Sequence, residues 1–175
     1  EKTISFGVKM VTTVIFDLGG VILNLEQDRA VNRFLDALPQ VEEKDIWSLL
    51  YESPLMIAYE RGQYTSKDFF RRLSFELGTS FDYPFFREVW QDIFSLKSEI
   101  ADLIHSLKDR CHLCLLSNTN ELHMEYIRKE FDIINHFSDI FLSYEIGFAK
   151  PDPRIYEIVL ESIGKKGENT VFIDD

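Results

Sequence analysis

Two hydrophobic rhythms alternate along this chain, and the first gives way to the second soon after residue 20. Val14-Ile15-Phe16 is a short β-branched and aromatic run that reads as a buried strand. It ends on Asp17, with Leu18-Gly19-Gly20 directly behind it. From Leu25 to about Phe94 the apolar residues recur at helical spacing instead. Val31, Phe34, Leu35 and Leu38 form one face, stopped by Pro39. Ile46, Trp47, Leu49, Leu50 and Tyr51 form a second, broken at Ser53-Pro54. Leu55 to Glu60 continues it until Arg61-Gly62 stops the helix. Thr65-Ser66-Lys67-Asp68 has the form of a helix start before Phe69, Phe70, Leu73 and Leu77. Gly78 ends that helix, and Phe85 to Phe94 supplies a last aromatic one. These aromatics are most simply the core of a small bundle rather than a cofactor box. With no strand signal inside it, the segment 25–95 is expected to be an all-helical insertion.

Beyond residue 95 strand and helix patterns alternate. Helices are expected over Ser98–Lys108, Glu121–Phe131 and Pro153–Ser162, and strands over His112–Ser117, Ile140–Tyr144 and Thr170–Ile173. Together with Thr12–Phe16 these predict an α/β core, residues 11–24 and 96–175, around a parallel sheet covered on both faces. The insertion falls directly after the first strand. No internal repeat or low-complexity tract interrupts the pattern.

Composition narrows the function classes. A chain of 175 residues, 45% hydrophobic and with 15 phenylalanines, can bury a sizeable core, which argues against disorder. Its formal net charge of −11 argues against a nucleic-acid partner held by a broad basic face. A small anion would need local donors. No apolar run approaches the length of a membrane span, and no signal-peptide pattern is present, so no membrane partner is expected. Glu1 to Met10 lacks an initiator Met at position 1 and is set aside, with Met10 as a candidate natural start. Cys111 and Cys114 frame Cys111-His112-Leu113-Cys114. A zinc site would want a second ligand pair, and a redox pair should open a helix rather than run into a strand. Buried free thiols in a reducing, cytoplasmic setting are the expectation.

Three strands end in polar residues. Asp17 follows the first, Ser117-Asn118 closes the second, and Asp174-Asp175 follows the last. Lys150 lies between them in Gly147-Phe148-Ala149-Lys150-Pro151-Asp152-Pro153. In a parallel sheet these ends share one edge, so the side chains should converge. Singly, each has a plain structural reading: a strand-end Asp caps turns, Ser-Asn caps helices, and a Lys before Pro is a loop residue. Together they are chemistry. Adjacent carboxylates facing a third imply a divalent cation, and an all-oxygen set suits Mg²⁺. A Ser hydroxyl, a backbone N–H and an ammonium are donors for a tetrahedral oxyanion.

In these four elements the chain resembles the haloacid dehalogenase superfamily. Asp17-Leu18-Gly19-Gly20-Val21, Leu116-Ser117-Asn118-Thr119-Asn120, Lys150-Pro151-Asp152-Pro153 and Phe172-Ile173-Asp174-Asp175 match its four motifs in order. Nearly the whole chain is covered, and its look is closest to the small phosphatases exemplified by α-glucose-1-phosphate phosphatase. The resemblance implies a Rossmann-like core with an inserted α-helical cap, and a Mg²⁺-dependent hydrolase of a small phosphate ester, possibly a sugar phosphate. It implies that Asp17 is the nucleophile, forming an aspartyl-phosphate that water hydrolyses. Asp17, the Gly19 carbonyl and Asp175 would hold the metal, with Asp174 acting through water. Ser117 and the Asn118 backbone would hold the phosphoryl oxygens, alongside Leu18 and Gly19, while Lys150 neutralises phosphate and nucleophile. A monomer or small homo-oligomer is expected.

Two departures matter. Most phosphatases of the superfamily carry an Asp two residues after the nucleophile to protonate the leaving oxygen; here that position is Gly19. Such an acid is worth ~10²–10⁴-fold, so its absence favours easy leaving groups or a proton from the cap or the substrate. Second, the sequence stops at Asp175, inside the fourth motif, and is expected to lack its last elements. The cap must choose the substrate, because the core reads only the phosphoryl group. Arg61, at the Glu60-Arg61-Gly62 turn, is the expected contact, with a solvated helix end as the plainer alternative. A 2-haloacid dehalogenase, a phosphoglucomutase-like enzyme and a non-catalytic module of the same fold remain as alternatives.

Overall fold

The computed structural model describes residues 10–165 and 167–175; residues 1–9 of the segment set aside above lie outside them. Strand β1 (Thr13–Phe16) is buried at every residue, as a central strand covered on both faces must be. A tight turn leads to β2 (Leu23–Leu25) and then to the helical segment. That segment contains α1 (Gln27–Ala37), α2 (Glu43–Trp47) with a π-helical turn over Ser48–Glu52, and α3 (Pro54–Glu60). It continues with α4 (Ser66–Glu76) and α5 (Tyr83–Gln91). Strand β3 (Phe94–Leu96) pairs antiparallel with β2 and brings the chain back to where it left.

The alternating part follows: α6 (Ser98–Leu107), β4 (His112–Ser117), α7 (Glu121–Glu130), a 3₁₀ turn over Asp132–His136, and β5 (Asp139–Leu142). Then come α8 (Ser143–Ile146), α9 (Pro153–Ile163) and β6 (Thr170–Ile173). The sheet order is β5-β4-β1-β6, with all pairs parallel. Phe16 lies opposite Leu115 on one side and Ile173 on the other, so these strands end nearly level. From β1 the chain first builds outward through β4 and β5, then returns to place β6 on the other side. The crevice at such a reversal, outside the carboxyl ends of the strands, is where open α/β sheets bind ligands.

The larger core lies on the Val14 and Phe16 face of β1 and runs on into the helical segment, where Phe34, Phe69, Phe86 and Trp90 are fully buried. The opposite face packs Ile15, Cys114 and Leu116 on Ile155 and Val159 of α9. Both cysteines are free. Among the described residues no helix is long and apolar enough to cross a membrane.

The structure departs from the sequence pattern in two places. The helical segment is bracketed by a three-residue strand pair, and Phe94 belongs to β3 rather than to the preceding helix. The strand expected to reach Tyr144 stops at Leu142, where Ser143 opens α8. Ser143 turns there because its hydroxyl accepts from the Thr119 N–H at 3.0 Å and donates to the Thr119 carbonyl at 3.1 Å.

Candidate active site

Asp17 extends the β1 ladder by one bond, its N–H donating to the Ile173 carbonyl at 2.9 Å. That bond sets the start of the turn beside the Asp174-Asp175 pair. The turn itself is tight: the N–H groups of Ile22 and Leu23 both donate to the Leu18 carbonyl at 2.9 Å. Gly20 sits in it at φ +76°, and a Cβ there would run into the Asp175 carboxylate. The Gly20 carbonyl accepts from Lys97 of the β3–α6 junction.

Lys150 joins the two carboxylate groups. Its Nζ lies 2.9 Å from Asp17 Oδ2 and 2.6 Å from Asp174 Oδ1, and 5.2 Å from the centre of the Phe172 ring. Burial lifts the Asp17 carboxyl to about 6, against the lowering pull of Lys150. What holds Lys150 there is the side chain of Asn118. Its Oδ1 accepts from the Lys150 N–H at 2.7 Å, and its Nδ2 donates to the Lys150 carbonyl at 2.9 Å. The motif spacing therefore identified Asn118 but not this use of its amide. Ser117 is buried at the end of β4 beside it.

Asp17, Asp174 and Asp175 offer carboxylate oxygens within 4.8 Å of one another. One ammonium cannot balance three carboxylates, and the bare Gly20 backbone leaves room for Asp175. The residues present thus fit a hard divalent cation with oxygen ligands. A second cluster, His112, Cys114 and Asp139, lies toward the amino ends of β4 and β5. There His112 Nε2 pairs with Asp139 Oδ2 at 2.7 Å, and burial pushes the Cys114 thiol up to about 12, which makes it a poor ligand.

A cavity of about 90 Å³ opens between the helical segment and this edge of the sheet. Leu18, Gly19, Ser117 and Asn118 line it from the core, and Tyr51, Met56, Glu60 and Trp90 from the helices. Arg61, the residue expected to contact substrate, is not among its walls. Its Nε is buried without a hydrogen bond, and its charge helps hold Asp152 low after the larger effect of Arg154. Of the Glu60-Arg61-Gly62 turn, it is Glu60 that lines the cavity.

His123, on the same wall, was not singled out by the sequence. Asn120 Oδ1 accepts from the His123 N–H at 3.1 Å and from Trp90 Nε1 at 3.4 Å, which leaves the Asn120 amide to donate to His123 Nδ1 at 3.1 Å. By this network the proton is on Nε2, and burial holds the ring neutral, its pKa pressed down to about 3. A histidine within a helix start carries no motif signal of its own.

The family model for haloacid dehalogenase-like hydrolases matches residues 11–175. The chain is 26% identical over 173 residues to a D-ribitol-5-phosphate phosphatase of Bacteroides thetaiotaomicron, covering 95% of this chain and 84% of the relative. It is 28% identical over 167 residues to a sesquiterpene phosphatase of Aspergillus oryzae, covering 92% and 79%. Among solved structures, a HAD family enzyme from Bacteroides thetaiotaomicron in complex with magnesium and inorganic phosphate superposes with a TM-score of 0.84. Its identity is 27%, over 94% of this chain and 85% of that one.

Proposed function

The chain belongs to the haloacid dehalogenase-like hydrolases, and from that premise we propose that it is a Mg²⁺-dependent phosphatase of a small phosphorylated metabolite, with Asp17 as nucleophile. The observation that carries the reading is Lys150 set between Asp17 and Asp174, with Asp175 closing the carboxylate group. Lys150 neutralises charge on both the nucleophile and an incoming phosphoryl group, so the anions can approach. Asp17 then attacks phosphorus, and water later releases phosphate from the aspartyl ester. The Ser117 hydroxyl and the Asn118 N–H hold the phosphoryl oxygens, with the Asn118 amide fixing Lys150 in place. Asp17, the Gly19 carbonyl and Asp175 would hold Mg²⁺, with Asp174 acting through water. Bound there, the cation offsets the charge that phosphate and carboxylates bring together.

Residues 25–95 act as the cap that selects the substrate. A sugar or polyol phosphate is the substrate class proposed, supported by the relative named for D-ribitol 5-phosphate. Hydrolysis of p-nitrophenyl phosphate with and without EDTA tests the metal claim: turnover should stop with the chelator and return with Mg²⁺. Replacing Asp17 by Asn should abolish turnover, because an amide is a poor nucleophile, whereas retained turnover would remove Asp17 from that role.

A further inference from the structure

Resting on that phosphatase reading, we propose that Glu60, at the end of α3, is the general acid that protonates the leaving oxygen. Breaking the ester bond leaves an alkoxide, and Gly19 has no proton to offer it. Lys150 is committed to Asp17 and Asp174. Of the described residues lining the cavity shared by Gly19, Ser117 and Asn118, Glu60 alone carries a carboxyl group. The other titratable side chains there give no proton near neutrality: Tyr51 is held protonated by burial, and His123 is held neutral.

Glu60 also lacks any structural employment. Its carboxyl makes no hydrogen bond or ion pair among the described residues, and the residue is half-buried at the wall of the cavity. A carboxyl with no partner at a cavity wall is free to serve a ligand there. Burial alone, with no charged neighbour contributing, raises it to about 7, so near neutral pH it is protonated about half the time. As Asp17 bonds to phosphorus, the electron pair of the P–O ester bond passes to the leaving oxygen. That oxygen takes the proton of Glu60 and departs as the alcohol. The resulting Glu60 carboxylate accepts a proton from the water that attacks the aspartyl-phosphate, which frees phosphate and regenerates both carboxyl groups.

The experiment is a leaving-group series: p-nitrophenyl phosphate, phenyl phosphate and β-glycerophosphate, assayed with Mg²⁺ on the native chain and on Glu60→Gln. The near-isosteric amide keeps the shape but has no acidic proton. Its kcat/KM on β-glycerophosphate should fall ~10²–10⁴-fold. The loss on p-nitrophenyl phosphate should be much smaller, so the dependence on leaving-group pKa steepens. Adding Gly19→Asp to that variant should recover the alkyl ester. A Cβ at Gly19 would first meet the flexible tip of Leu25, 3.1 Å away, which can yield by the small shift required. An equal loss across the series, an unchanged series, or a change confined to KM would each overturn the role of Glu60. A native chain inactive on all three esters would instead overturn the phosphatase reading on which it rests.

Discussion

Gly19 and Gly20 are neighbours with opposite tolerances. Gly19 has ordinary backbone angles and faces a flexible leucine tip, whereas Gly20 needs φ +76° and abuts Asp175. Gly20→Ala should therefore displace Asp175 and weaken Mg²⁺ binding, read as a higher Mg²⁺ requirement for turnover, while Gly19→Asp should fold and flatten the leaving-group dependence. Glu60 makes a prediction that needs no substrate. Its pKa rises from an ordinary 4.5 to about 7 on folding, so the folded chain binds that proton more tightly than the unfolded one. The stabilising proton is fully present below pH 4.5 and is lost as pH climbs to 7, at a cost on the order of 3 kcal/mol. Tyr51 and His123 share its cavity, Arg61 follows it in the chain, and Tyr144 of α8 meets the next turn at Gly62; none of them adds to its shift. Glu60→Gln should hence gain stability over the native chain between pH 4.5 and 7, as urea unfolding at each pH would show; a constant difference would contradict it. Asp17, Lys150 and the Asp174-Asp175 pair were legible because each sits in a contiguous motif. The tasks of Asn118 and Ser143 were not, since their partners lie 32 and 24 residues away.

Helices were legible where a cap and a stop frame an apolar face. The Ser53 side chain accepts from the Met56 N–H at 3.0 Å and donates to the Leu49 carbonyl at 2.7 Å, so one hydroxyl starts α3 and ends the π-helical turn. Thr65 and Asp82 cap α4 and α5 in the same manner. Ser53→Ala should cost about 1 kcal/mol in thermal or urea unfolding. Because α3 carries Glu60 at its far end, the same change should also lower alkyl-ester turnover more than aryl-ester turnover. Strands β2 and β3 stayed hidden because three residues are too few to show a period of two. What they do is structural: they join the two crossings between the helical segment and the sheet domain at one point. The end of β5 was misplaced because Leu142-Ser143-Tyr144 reads as a strand until the buried bond partner of Ser143 is known.

At the scale of the whole molecule, the helical segment and the sheet share one hydrophobic core, and two further seams join them. One is polar: Arg87 pairs with Glu125 at 2.5 Å, Gln91 donates to the Leu122 carbonyl at 2.9 Å, and Ser66 donates to Glu121. The other is a close approach of backbones, where Gly62 meets the Tyr144 carbonyl of α8 at the turn that follows Glu60. On the general-acid proposal for Glu60, the spacing of those backbones should help set where the end of α3 sits. Gly62→Ala tests this, and Gly78→Ala is its control. Both glycines are left-handed, at φ +68° and +62°, so each alanine carries about 1–2 kcal/mol of backbone strain. Gly78, however, has open space where a Cβ would go, whereas at Gly62 the Cβ would collide with backbone that has no rotamer to yield. Gly78→Ala should lose only the strain and keep its turnover. Gly62→Ala should lose more stability than that, and it should slow β-glycerophosphate hydrolysis more than p-nitrophenyl phosphate hydrolysis, because α3 and its acid are pushed off the core. If both variants lost the same stability and the same activity, the Gly62 seam would not position Glu60.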